Sequence, residues 1–228
     1  MKVLAIVQAR MGSTRLPNKV MRPITGVPMI ELILSRLARA KEVDQIIVAT
    51  SIDKINLPLV THVQKLGYVC VQGSENDVLD RYVQAAKAYQ ADVVVRITGD
   101  CPLVDPGLVD EVIRRFKTAN VDYFSNIAPP TYPDGLDIEV FTFKSLENSS
   151  QETTDLFDRE HVTPYLRKPG KYKTKVMQHS KDLSALRWTV DEPVDLEAIE
   201  KVFKHFSPRT DFTWGDVLAF QKKKSKNI

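Results

Sequence analysis

Val3-Leu4-Ala5-Ile6-Val7-Gln8-Ala9-Arg10-Met11-Gly12-Ser13-Thr14-Arg15-Leu16-Pro17-Asn18-Lys19 is the stretch that decides the fold of this 228-residue chain. An unbroken apolar run gives way to a glycine-containing loop with three cations, the pattern of a buried strand feeding an anion-binding loop. Val3 to Val7 shows no polar alternation, so both faces of the strand need cover, as in the middle of a parallel sheet with helices on either side. Gly12 lets a ligand approach the backbone, while Ser13 and Thr14 add hydroxyl donors and unpaired N–H groups. Arg10, Arg15 and Lys19 can converge on one polyanion; forked arginine donors with a compact lysine charge suit a triphosphate better than a lone carboxylate. A basic surface turn is the plainer reading of any one such cation, but their grouping around Gly-Ser-Thr directly after a buried strand favours phosphate binding. Neither G-x-x-x-x-G-K-[ST] nor G-x-G-x-x-G occurs here, so this is neither a Walker loop nor a dinucleotide fingerprint.

Outward from this loop, strand and helix patterns alternate. Residues 29–40 place Ile30, Ile33, Leu34 and Leu37 on one helical face, 45–50 form a second buried strand, 57–66 a helix and 68–71 a short strand. A helix follows from Ser74, its cap, to about Gln90, with Asp77 as a capping-box acid. The apolar run Val93-Val94-Val95 leads to Gly99-Asp100, and Asp105-Pro106 has the cap and first-turn chemistry of a helix over 107–119. After the strand Tyr123-Phe124 the pattern changes: a turn-rich loop at 129–135 leads into Leu136-Asp137-Ile138-Glu139-Val140-Phe141, whose alternation predicts a strand with one wet face. A helix over 154–166, a strand over 186–190, a helix beginning near Pro193 and a closing helix over 213–223 complete the pattern. The reading is an α/β chain with a Rossmann-like sheet and a small antiparallel elaboration, in one domain over 1–228, the elaboration at about 129–180.

Several side chains carry chemistry in this frame. Asp100 stands at the carboxyl end of a sheet strand with no cap to make, and a carboxylate there facing a triphosphate suits Mg²⁺. Asp191 ends the 186–190 strand and is either a helix cap or a second metal carboxylate, while Asp195 suits the helix dipole. Thr50 and Ser51 stand where a parallel strand ends and serve either ligand binding or capping. Arg81 serves the site or a salt bridge, and Arg96 reaches the nucleotide or pairs with a buried acid. Asp137 and Glu139 share the wet face. His161, on its own, has a structural reading as well as a functional one.

The run Gln8 to Pro17 with Lys19 closely resembles the opening signature of the cytidylyltransferases that include CMP-sialic acid synthetases, and most closely the spore-coat polysaccharide branch; Asn18 stands where that branch usually has glycine. Asparagine tolerates the left-handed conformation, which preserves the loop. The resemblance extends over nearly the whole chain and implies a GT-A-type nucleotidyltransferase fold, with Arg10, Arg15, Lys19 and Asp100 catalytic. It adds Ala9, Gly73 and Ser74 to a nucleotide set of Arg10, Gly12, Ser13, Thr14, Arg15, Lys19, Thr50, Ser51 and Arg96. It implies metal binding by Asp100 and Asp191, and an acceptor side made of Asp134, Asp137, Glu139, Arg159 and His161. The implied reaction is transfer of CMP from CTP to an acidic or phosphorylated sugar with release of pyrophosphate, Mg²⁺ assisting, in surface polysaccharide or glycan synthesis.

Composition agrees with an ordinary soluble globular protein: 43% hydrophobic and 27% charged residues with a net charge of +3, too weak to argue for nucleic acid. Cys70 and Cys101 lack metal or redox spacing and read as reduced packing residues. No apolar stretch approaches the roughly 20 residues that span a bilayer, and no signal-peptide pattern opens the chain, so a cytoplasmic location with no membrane partner is expected. The Lys222-Lys223-Lys224-Ser225-Lys226 cluster reads as a solvated tail. The apolar side of the 136–141 strand needs cover, which predicts a homodimer. Two other classes share these features. A GT-A glycosyltransferase would release nucleoside diphosphate and has no need of three cations around a triphosphate; a non-catalytic nucleotide-binding protein has no need of Lys19, Asp100 and Asp191 together.

Overall fold

The computed structural model describes residues 1–225. β1 (Val3–Gln8) runs into the cation-bearing loop, a 3-10 turn at Lys19–Met21 and a small antiparallel pair, β2 (Pro23–Ile24) and β3 (Val27–Pro28). The chain continues through α1 (Met29–Leu37), β4 (Gln45–Ser51), α2 (Leu57–Lys65), β5 (Val69–Gly73), α3 (Val78–Ala88), β6 (Val93–Thr98) and α4 (Pro106–Ala119). It then passes through β7 (Tyr123–Ser125), β8 (Glu139–Thr142), α5 (Phe143–Glu152), α6 (Leu156–His161), β9 (Thr174–Val176), α7 (Pro193–Phe206) and α8 (Trp214–Ser225).

Seven strands form one sheet in the order β5-β4-β1-β6-β8-β7-β9. β1 is central: it pairs in parallel with β4 and β6, and every residue from Val3 to Val7 is fully buried. The strand period of two divides its side chains between two helical layers. Val3, Ala5 and Val7 join the core shared with α1, α2, α4 and α7, and Leu4 and Ile6 join the core under α3 and α5. Complete burial of each valine, leucine or isoleucine side chain contributes about 1.5–3 kcal/mol, so a continuous apolar run is stable only with cover on both faces. The strand order reverses between β1 and β6, which opens a crevice beyond their carboxyl ends.

Local chemistry sets the helix starts. Asp105 accepts from Leu108 N at 2.9 Å ahead of Pro106, as its sequence context predicts. One fully buried charge braces the helical layer: Arg36 of α1 donates to the carbonyls of Val104, Thr210 and Phe212 at 2.9, 2.7 and 3.1 Å and lies over the Phe212 ring.

The structure corrects several expectations. The alternating stretch 136–141 has no wet face: β8 lies inside the main sheet, antiparallel to both β6 and β7, with Glu139 only 1% exposed. Residues 186–190 form no strand; an isolated bridge joins Asp134 to Arg187 through Asp134 N to Leu186 O and Trp188 N to Asp134 O, while Val190 N donates to Asp100 O. α3 starts later than expected, at Val78, with Asp77 as its cap and Ser74 Oγ accepting from Asp77 N. The 154–166 helix shortens to α6, where Val162 adopts φ 70° and ends it. Cys70 and Cys101 are free thiols. Among the described residues no helix is long and apolar enough to cross a membrane. Lys222 and Lys223 are exposed on α8, and Lys226 of the predicted tail lies outside the described residues.

Candidate active site

The crevice beyond β1 and β6 is a cleft of about 360 Å³ lined by most of the cation-bearing loop, including Arg10, Gly12, Ser13, Thr14, Arg15 and Lys19. The loop is anchored from beneath: Asn56 Oδ1 accepts from Met11 N at 2.8 Å, and Asn56 Nδ2 donates to Ser51 Oγ at 2.7 Å. Asn18, at φ 58°, turns the chain into the 3-10 step that presents Lys19. On the facing strand end, a Cβ on Gly99 would lie 2.8 Å from Ala9 Cβ and 2.9 Å from Gln8 O. Only glycine lets β6 approach β1 this closely and bring Asp100 beside the loop.

Lys19 joins the two predicted metal acids. Its Nζ lies 3.1 Å from Asp100 Oδ2 and 2.8 Å from Asp191 Oδ1, with Arg15 a further 3.2 Å from Asp191. Burial raises the Asp100 carboxyl, but the Lys19 charge and bonds from Thr98, Lys19 and Cys101 hold it below its ordinary value. Burial likewise opposes the Lys19 charge, and the two acids more than restore it. Asp191 does not cap α7. That cap is Glu192, reciprocated by Asp195 in a capping box, and Asp195 accepts from both Asp191 N and Glu192 N at 2.9 Å. Arg187 grips Asp195 through two bonds at 2.8 and 2.7 Å and reaches Asp191 Oδ2 at 3.5 Å. The forked guanidinium holds Asp195 well below the usual carboxylate range.

The other predicted site residues divide. Ala9, Arg96 and His161 line the cleft. Arg96 does so while paired with Glu139, whose other oxygen accepts from Tyr123 OH at 2.6 Å. Glu139 is therefore the buried counter-ion of a strand arginine and not a solvent-facing acid. Asp134 is exposed, and half-buried Asp137 is close enough to Asp100 to feel its charge; neither lines the cleft. Burial, reinforced by Asp134, Glu139 and Asp100, pushes the Asp137 carboxyl up to about 7. Thr50 and Ser51 are fully buried beneath the loop, and Gly73 and Ser74 stand beside the cleft without lining it. Arg159 lies elsewhere: it pairs with the α3 cap Asp77 at 2.6 Å and donates to Ser150 O and Thr153 O. Gln8, Val20, Val78, Thr98, Gly99 and Glu160 also line the cleft and carried no individual signal; Arg81, left between two roles by its sequence context, lines it too.

Comparison with known proteins agrees with this geometry. Residues 4–213 match the cytidylyltransferase family. An uncharacterized protein of Methanocaldococcus jannaschii is 40% identical over 90% of this chain and 85% of its own. The spore coat polysaccharide biosynthesis protein SpsF of Bacillus subtilis is 32% identical over 95% of this chain and 92% of its own. The structure of a cytidylyltransferase from Leptospira borgpetersenii superposes with a TM-score of 0.94 at 32% identity, covering 99% of this chain and 96% of that one. A cation-bearing loop after the central strand, with Asp100 and Asp191 facing it, and similarity along the full chain lead to one conclusion: the chain belongs to the cytidylyltransferase family of CTP-dependent nucleotidyltransferases.

Proposed function

We propose that the chain transfers CMP from CTP to an acidic or phosphorylated sugar, releasing pyrophosphate, as a step in surface polysaccharide or glycan synthesis. The observation that carries this reading is Lys19, held between Asp100 and Asp191 at the mouth of the β1 loop with Arg15 alongside. Arg10, Arg15 and Lys19 bind the β- and γ-phosphates, Arg10 leaving Glu75 and Lys19 leaving its two acids to do so. The acceptor oxygen attacks the α-phosphorus in line and pyrophosphate departs toward these cations, so the chain contributes positioning and charge neutralisation. His161, which lines the cleft, takes the acceptor's anionic group. Asp134 and Asp137 take its hydroxyls; with its carboxyl near 7, Asp137 can donate as well as accept.

The acids also fit Mg²⁺. Two hard carboxylates converge on one ammonium position. That donor set matches an ion that takes one or two carboxylates with phosphate oxygens and water. When bound by Asp100 and Asp191, Mg²⁺ would neutralise phosphate charge and acidify the acceptor hydroxyl.

Pyrophosphate release with four nucleotides against sugar acids and sugar phosphates tests the reaction. Release from CTP with one acceptor class is expected; release of nucleoside diphosphate from a nucleotide sugar instead would overturn it in favour of a glycosyltransferase. We also propose pairing of two copies through α6, where Leu156 and Phe157 are 81% and 60% exposed. A monomer at micromolar concentration in light scattering would end that part.

A further inference from the structure

Asp100 is held on one side and open on the other. Cys101 is 3% exposed, and its thiol donates to Asp100 Oδ1 at 3.5 Å. Thr98 Oγ1 lies 3.1 Å from the same sulfur. Because the thiol proton points to the carboxylate, the threonine hydroxyl supplies the proton of that second contact, and the three side chains form a short relay from Thr98 through Cys101 to Asp100. The turn that brings them together is closed by Cys101 N donating to Thr98 O at 3.3 Å, and the Asp100 carbonyl accepts from Val190 N at 2.8 Å. The other carboxylate oxygen, Oδ2, faces Lys19 at 3.1 Å.

Asp191 shows the same division. Its Oδ2 is reached by Arg187 at 3.5 Å, a guanidinium itself fixed by two bonds to Asp195, while its Oδ1 faces Lys19 at 2.8 Å. Each acid thus keeps one oxygen on the protein and turns the other toward one shared cation position, which the Lys19 ammonium fills in this structure. When phosphates draw Lys19 away, Asp100 loses the charge that now aims Oδ2. The terminal torsion of a carboxylate is broad and two-fold, so without a second hold the group would turn. The buried thiol supplies that hold, since rotation of Asp100 would leave its S–H, and the threonine hydroxyl behind it, short of an acceptor.

We propose that Thr98 and Cys101 are positioning residues for Asp100, a donor relay that keeps Oδ2 presented to Mg²⁺ after Lys19 has moved to the phosphates. This inference rests on the Mg²⁺ reading above. Neither side chain touches the reacting atoms in this role; both act through Asp100. Donors placed behind a ligating group typically contribute about 10- to 100-fold in metal affinity.

The test is calorimetric titration of the full chain with CTP, with and without Mg²⁺ and in the absence of acceptor, in the wild type, Thr98→Val, Thr98→Ser, Cys101→Ala and Cys101→Ser. The quantity read is the gain in CTP affinity on adding Mg²⁺. It should fall on the order of 10-fold in Thr98→Val and Cys101→Ala, which lack the donor, while metal-free CTP affinity stays at the wild-type value. Thr98→Ser and Cys101→Ser keep a hydroxyl donor and should keep most of the gain. A role in packing alone makes a different forecast, in which CTP affinity falls equally with and without Mg²⁺ and serine in the buried cysteine position restores nothing. That pattern, or a full gain in either donor-less variant that folds, overturns the inference; the two substitutions are independent, so one that does not fold leaves the other to decide. A wild type whose CTP affinity is indifferent to Mg²⁺ overturns the metal reading itself, and one that does not bind CTP overturns the nucleotide reading. Both outcomes are separable from a normal wild-type gain that survives in the variants.

Discussion

Lys19 Nζ lies 2.8 Å from Asp191 Oδ1, although 172 positions of sequence separate them. The pairing frees Asp191 of the capping role its place before a helix suggests, because Glu192 and Asp195 already make the α7 capping box. Asp191→Asn should therefore leave thermal stability near the wild type while turnover falls on the order of 100-fold, about 3 kcal/mol of transition-state stabilisation. Asp100→Asn should behave alike. Steady-state kinetics across a Mg²⁺ titration checks both, and near-normal turnover of Asp191→Asn with an unshifted Mg²⁺ requirement would leave Asp100 as the sole carboxylate anchor.

Arg36 makes the opposite forecast, since it is remote from the cleft and fully buried. Arg36→Met leaves the carbonyls of Val104, Thr210 and Phe212 without the donors that now satisfy them. The expected loss is roughly 3–5 kcal/mol of folding stability. Denaturant unfolding measures it, and KM for CTP well below the new melting temperature should not change.

Arg187 couples stability to acid. Its two bonds to Asp195 depress that carboxyl, so the stability they contribute is fully present above the unfolded aspartate pKa, near 3.9, and is lost as pH falls through the lower folded value. Arg187→Met should raise the pH at which the protein acid-unfolds and cost about 1 kcal/mol at neutral pH, a discounted figure because the arginine side chain is 46% exposed. Circular dichroism on a descending pH series reads both; an unmoved acid transition would show that the fork contributes nothing to folding.

The legible parts of the molecule share a physical reason. β1 and its loop could be read because continuous burial on two faces and a cluster of cations are local signals, as is the Asp105-Pro106 cap. The wet face expected for Glu139 does not form, and no local pattern could show this, because an acid on an alternating strand looks the same whether its partner is water or Arg96 on the neighbouring strand. That partner is specified by an antiparallel register, which nothing local encodes. Val162 ends α6 in a conformation that a β-branched residue rarely adopts, so the only local signal for the stop is Pro164 two residues on. The fixing of Arg159 by Asp77 depends on packing of α6 against α3, again beyond any local pattern.

Asp137 yields the prediction with the sharpest pH signature. Burial first, then Asp134, Glu139 and Asp100, push its carboxyl up to about 7. The unfolded chain titrates it near 3.9. Between those values the native state holds more protons than the unfolded state, so this group makes stability fall as pH rises from about 4 to about 7, and the cost is complete above that range. Asparagine imitates the protonated acid at every pH. Asp137→Asn should therefore be more stable than the wild type at pH 8, with a smaller advantage at pH 5. The advantage at pH 8 should exceed that at pH 5 by at least about 1 kcal/mol, a figure lowered for partial solvent screening. Unfolding in denaturant at the two pH values, without nucleotide or metal, gives the comparison. A gap independent of pH would mean that the carboxyl titrates as an ordinary aspartate and that the surrounding acids do not act on it. If the advantage appears together with a raised KM for the sugar acceptor and an unchanged KM for CTP, the acid costs stability at the position where the acceptor binds.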